Sequence, residues 1–126
     1  EWHFYAQMLG DHQLVSDSQL TLPYVDPNAF HVWNQYSIRV ADGQRDALRA
    51  HLAEQRVGSE IYYPVPMHRQ ECFEYLEVDG ETLPETEKAA AEILNLPIFP
   101  GLTEAEQVRV IESISNFYQQ SSRIAA

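Results

Sequence analysis

Lysine and cysteine are almost missing: Lys88 and Cys72 are the single examples of each in 126 residues. The first scarcity excludes lysine-dependent covalent chemistry unless Lys88 itself can present a neutral amine in a desolvated pocket. The second excludes an internal disulfide and fits a reducing cytoplasm, with Cys72 expected to behave as a small buried hydrophobe. Basic residues are few, 8 Lys and Arg against 19 Asp and Glu, which leaves a formal charge of −11. Such a surface repels a phosphate backbone, so nucleic-acid binding is excluded as a function class. No apolar run is long enough to span a bilayer, and no signal-peptide pattern is visible. Glycine-rich phosphate loops, H-E-x-x-H spacing and nucleophile elbows are absent as well.

What remains is a normal globular composition, 44% hydrophobic with 11% aromatics, enough for one core and too short for two. Disorder is not expected before the Gln-, Ser- and Ala-rich tail after Tyr118. Trp2, Tyr5, Met8 and Leu9 share a helical face that Gly10 terminates. Residues 10 to 30 read as a polar connection through Pro23, Asp26, Pro27 and Asn28. Alternation from His31 to Val40 predicts a strand. Arg45 to Val57 predicts a helix on Leu48 and Leu52, with Gly58 as its C′ residue. Ile61 to Val65 predicts a second strand, confined to an edge by Pro64 and Pro66. A capping box from Thr82 to Glu85 opens a helix from Pro84 to Leu94 that buries Ala89, Ala90, Ile93 and Leu94. Leu96 to Phe99 predicts a third strand. A second capping box, Thr103 to Glu106, opens a last helix with Val108, Ile111, Ile114, Ser115 and Tyr118 inward. Strands and helices in this alternation pack most economically as two layers, an α/β (α+β) domain with helices on one face of a small sheet.

Residues able to carry chemistry are few. Lys88 lies opposite the apolar face of its helix, with Glu85 three residues before it and Glu92 four after, which keeps its ammonium solvated. His3, His12, His31, His51 and His68 show no metal-ligand spacing; His68 and Cys72 are four apart but lack a third ligand, so no metal site is expected. The segment Ile61-Tyr-Tyr-Pro-Val-Pro-Met-His-Arg-Gln70 stands apart because two prolines stiffen a loop that immediately presents His68. From the residues alone two readings stay open. Either His68 faces a ligand, or it bonds backbone while the tyrosines pack on a neighbouring layer.

The run Tyr63-Pro-Val-Pro-Met-His68-Arg-Gln70, then Leu83-Pro-Glu-Thr-Glu87, Leu94-Asn-Leu-Pro-Ile-Phe-Pro100 and Leu102-Thr103 resembles the DegT/DnrJ/EryC1/StrS aminotransferases. His31 to Arg39 and Arg45-Asp46 fit that family in the same order. Met67, Arg69 and Asn95 depart mildly from its usual residues. The resemblance implies the small C-terminal domain of a fold type I enzyme, a short, mainly antiparallel sheet covered by helices. It further implies that residues 31–126 form that domain and 1–30 the linking helix and connection from a large domain absent here. The implied whole enzyme is a cytoplasmic homodimer that uses pyridoxal phosphate to move an amino group, from glutamate, onto a nucleotide-linked keto sugar. Its catalytic and cofactor-binding residues would all lie upstream, so this piece alone is expected to bind no cofactor and to be inactive. By the same resemblance His68, with Tyr63 beside it, is expected to contact substrate. Arg39 is expected to bind the donor carboxylate or to pair with a carboxylate of the chain. A sugar dehydratase of the same family, with histidine for the cofactor lysine, and a freestanding binding or assembly domain remain as alternatives. A piece parted from its large domain is expected to expose the Trp2/Tyr5/Leu9 face and to self-associate.

Overall fold

The computed structural model describes residues 2–10, 15, 17, 19–77 and 83–124. Among these residues the regular elements run in the order α1 (Trp2–Gly10), β1 (Leu20–Thr21), β2 (Tyr36–Val40), α2 (Arg45–Glu54), α3 (Pro84–Glu92), β3 (Ile93–Leu96) and α4 (Glu104–Ile124). Two short 3₁₀ turns, Met67–Arg69 and Glu71–Leu76, lie between α2 and α3. The sheet is antiparallel throughout, in the order β1-β2-β3. Tyr36 faces Leu96, Ile38 faces Leu94 and Val40 faces Leu20.

Burial in β2 alternates with its pleat. Tyr36, Ile38 and Val40 are buried, and they share one core with Leu94, Leu96 and Leu20 of the sheet and with residues of α1, α2 and α4. Ser37 and Arg39 point the other way and make polar contacts there. Helix α4 packs on both α1 and α2. His51 Nε2 lies 3.1 Å from the Ser113 carbonyl, and Arg109 donates to the Gln55 carbonyl at 2.9 Å. The Tyr36 phenol, pushed up to about 12 by burial, remains neutral within this core.

The two-layer α+β arrangement agrees with expectation, but several boundaries do not. The strand expected from His31 begins only at Tyr36, because the preceding residues have no partner strand. They fold locally instead: Asn34 N–H bonds the Val32 carbonyl, and the His31 and Trp33 rings stack 3.9 Å apart. No strand forms over residues 61–65; pairing is limited to the single bridge of Glu60 with Asn95, and the prolines that follow supply no N–H to extend it. The helix expected to reach Leu94 stops at Glu92, since Ile93 and Leu94 gain ladder partners in Arg39 and Ile38. The third strand is therefore Ile93–Leu96, not Leu96 to Phe99, and Pro97 follows its last residue. No residue of α3 is fully buried; Ala89 and Ala90 are half-buried. Leu20–Thr21 adds a strand inside what reads as a polar connection.

Helix ends show the same mixture. The Thr103 capping box forms: Thr103 N–H donates to Glu106 Oε2 at 2.8 Å, and Glu106 N–H returns to Thr103 Oγ1 at 3.3 Å. Those Thr103 bonds hold the Glu106 carboxyl below its ordinary range. Helix α4 continues past Tyr118 to Ile124, and its buried residues include Gln107, Val110 and Ser113, while Val108 and Ser115 are only half-buried. Tyr5 and Leu9 are fully buried, so that face does not stand exposed, and Met8 is the partly open residue beside it. The side chain of Trp2 and the Thr82 cap lie outside the described residues. Helix α2 ends early, at Glu54, and not on Gly58. Arg56 N–H bonds the Ala53 carbonyl at 3.0 Å and Val57 N–H the Leu52 carbonyl at 2.8 Å, a Schellman closure with Arg56 as the left-handed residue at φ 58°.

A side chain in the left-handed region costs roughly 1 kcal/mol that glycine avoids. Arg56→Gly is therefore expected to stabilise the fold by about 0.5–1 kcal/mol, read as a higher urea midpoint at unchanged slope. A lower midpoint would show that the Arg56 side chain contributes more than its backbone costs.

Candidate functional site

The loop leaving Glu60 is tethered before it is presented. Glu60 and Asn95 exchange backbone hydrogen bonds at 3.1 and 2.8 Å, and the buried Asn95 side chain donates a third bond to the Glu60 carbonyl at 3.0 Å. Ser37 Oγ donates to Asn95 Oδ1 from the neighbouring strand. From this anchor the chain runs outward with Tyr62, Tyr63, Val65 and Met67 largely exposed. Pro64 and Pro66 restrict φ, and the turn that follows closes with Arg69 N–H on the Pro66 carbonyl and Gln70 N–H on the Met67 carbonyl.

The loop returns to α3 through one oxygen. His68 Nε2 lies 2.6 Å from Glu87 Oε1, and Arg69 Nε donates to the same atom at 2.7 Å. The His68 side chain keeps only 7% of its surface in water, while Arg69 is exposed. Arg69 chiefly, and His68 next, hold the Glu87 carboxyl below its ordinary value. Beside this knot Met67, His68, Phe73, Leu76, Leu83 and Thr86 line an open, mostly apolar groove of about 420 Å³. A second groove of about 420 Å³ lies at the end of β3, between Asn34, Glu60, Tyr62 and Ile98.

Arg39 engages α3 elsewhere. Its Nε donates to Glu92 Oε2 at 2.9 Å, with Nη2 at 2.8 Å from that oxygen. Glu87 and Glu92 are five residues apart, which places them about 140° apart around the helix and about 7.5 Å along it. His68 and Arg39 are thus held by one helix without meeting. Arg45 secures the end of that helix by donating to the Ala90 carbonyl at 3.0 Å. Tyr63 stands 74% exposed on the loop. Glu87, Glu92 and Asn95 are the site residues that the sequence did not assign; Glu87 and Asn95 lie within the quoted motif segments, and Glu92 stood out only as a carboxylate four residues after Lys88. Cys72 is exposed in the second 3₁₀ turn and not buried, because that turn buries none of its residues.

Among the described residues no three His, Cys, Asp or Glu side chains converge as a metal site, and no helix is long and apolar enough to cross a membrane. Lys88 is exposed on α3 and lines neither groove. The residues present therefore do not fit a lysine-bound pyridoxal phosphate.

Comparison with known proteins places this geometry. The family model described as the DegT/DnrJ/EryC1/StrS aminotransferase family matches residues 1–115. A pleiotropic regulatory protein of Geobacillus stearothermophilus is 43% identical over 115 residues, covering 91% of this chain and 30% of that protein. The dTDP-3-amino-3,6-dideoxy-alpha-D-galactopyranose transaminase of Aneurinibacillus thermoaerophilus is 35% identical over 96 residues, 76% of this chain and 25% of its own. The crystal structure of NtdA from Bacillus subtilis, with bound cofactor PMP, superposes with a TM-score of 0.77 at 29% identity, over 91% of this chain and 26% of that one. The chain thus spans about 30% or less of the length of these relatives.

Glu87 makes the tie between loop and helix pH-dependent. A carboxyl with a depressed value in the folded state stabilises above its unfolded value and ceases to do so as pH falls through the folded one. Glu87→Gln should lower the melting temperature at neutral pH, and the gap from the unsubstituted protein should begin to narrow below the unfolded value of 4.5 and close as pH falls through the lower folded value. A gap that persists unchanged into strong acid would exclude the carboxylate charge as its source.

Proposed function

The chain belongs to the DegT/DnrJ/EryC1/StrS aminotransferase family, and from that membership we propose that it is the C-terminal small domain of a sugar-nucleotide aminotransferase. Residues 31–126 make up the body of this domain, and residues 1–30, whose α1 and β1 pack into its core and sheet, lead to it from a large domain. The whole enzyme moves an amino group from glutamate to a nucleotide-linked keto sugar, as a cytoplasmic homodimer. Pyridoxal phosphate belongs to the large domain and supplies the amino-transfer chemistry there. The observation that carries the reading is the family match over residues 1–115, in a chain whose relatives include a named dTDP-sugar transaminase.

This domain's contribution is a wall of the substrate pocket. The loop from Glu60 to Gln70 is anchored at both ends, by Asn95 and by Glu87, so it can present His68 with little conformational entropy left to lose on binding. We assign His68 to a contact with the sugar nucleotide and Tyr63 to the exposed neighbouring surface. For Arg39, the paired contacts with Glu92 support a tie between sheet and helix more than a donor-carboxylate site.

In the full-length enzyme, His68→Ala should raise KM for the sugar nucleotide about tenfold and leave KM for the amino donor unchanged. Steady-state kinetics with both substrates check this, and a selective effect on the donor would overturn the assignment. Product analysis should find 2-oxoglutarate and an amino sugar in equal amounts; a dehydrated sugar in their place would overturn the aminotransferase reading. The 126-residue chain mixed with pyridoxal phosphate should show no visible band of lysine-bound cofactor.

A further inference from the structure

The two ring nitrogens of His68 have different surroundings. Nε2 lies 2.6 Å from Glu87 Oε1. An ionised carboxylate is acceptor-only, so Nε2 carries the hydrogen of that bond whether the ring is neutral or protonated. Among the described residues, the His68 ring bonds Glu87.

The contact is not a chance meeting of surface charges. His68 and Arg69 are consecutive in a 3₁₀ turn, where neighbouring side chains diverge by about 120°, yet both end on Glu87 Oε1. Turning the ring to offer Nε2 elsewhere would break a bond made by a side chain that is 7% exposed. It would also remove one of the two side-chain hydrogen bonds, from Arg69 and from His68, that hold the Glu87 carboxyl low. The ring meanwhile forms part of the wall of the groove shared with Phe73 and Leu83.

We infer that Glu87 is a positioning residue for His68, holding the Nε2 edge of the ring and leaving Nδ1 as the nitrogen that meets the sugar nucleotide. This rests on the assignment of His68 as a substrate contact. The ring can accept through Nδ1 from a substrate hydroxyl when neutral and donate to a phosphate oxygen when protonated. Glu87 touches neither group and acts only through the orientation of the ring.

Glutamine and asparagine separate the two nitrogens, because the glutamine amide reaches the place of Nε2 and the asparagine amide that of Nδ1. In the full-length enzyme, His68→Gln should keep its melting temperature near that of the unsubstituted protein while KM for the sugar nucleotide rises about tenfold. His68→Asn should melt at lower temperature and raise KM by less than His68→Gln does. Glu87→Ala should raise the same KM about tenfold with kcat and donor KM unchanged, and add little on the His68→Asn background, as coupled residues do. The opposite pattern, with KM kept by glutamine and lost by asparagine, would overturn the Nδ1 assignment and leave the substrate contact standing. Unchanged KM in both variants would remove the contact itself, and the inference with it.

Discussion

Asn95 is the constraint on which the arrangement depends. It is 5% exposed, in the strand that closes the sheet, and its side chain must find partners because an unpaired buried amide costs roughly 1–3 kcal/mol. It finds them on both sides: the hydroxyl of Ser37 in β2 and the carbonyl of Glu60, where the loop begins. One buried amide thereby joins two strands to a segment that forms no strand of its own. The stiff loop that carries Tyr63 and His68 starts from this point.

The second anchor follows from the direct junction of α3 and β3. The helix ends at Glu92 and the strand begins at Ile93, so no flexible residue separates them. Wherever β3 pairs with β2, α3 must follow, and its carboxylates are placed by the ladder register. Glu92 meets Arg39 from β2, Arg45 caps the last turn, and Glu87 is carried out to meet His68 and Arg69. Pairs of this kind, partly open to water, each contribute only modestly to stability. Their value lies in orientation. A helix with no fully buried residue is held in place by charges at its end and by its covalent continuity with the sheet.

These two anchors give the family assignment a physical meaning. The chain supplies no lysine suited to hold a cofactor, and it lacks a convergent metal-ligand cluster among the described residues. What it offers is a pre-ordered edge: an exposed run of Tyr62, Tyr63, Val65 and Met67 beside a buried, oriented imidazole. Ordering that surface within the domain removes the entropy that a mobile loop would lose on binding.

Local chemistry in the sequence determined the class of the fold and much of its interior. Leu48 and Leu52 one turn apart, the Thr103–Glu106 box and the alternation of Tyr36, Ile38 and Val40 each specify their own element, because helix and strand periods and caps are short-range properties. The motif segments, taken in order, were also enough to indicate the family. Tertiary structure decided the rest. His31 to Gln35 and Ile61 to Val65 have strand-like patterns, but a strand needs a partner, and only Tyr36 to Val40 and the bridge at Glu60 have one. Arg56 in place of Gly58 as the left-handed residue reflects where α2 had to stop to bury Val57. That His68 ends on Glu87 and Arg39 on Glu92 lies beyond any local pattern. Those pairings span 19 and 53 residues, and they exist only because β2 and β3 bring α3 to the loop.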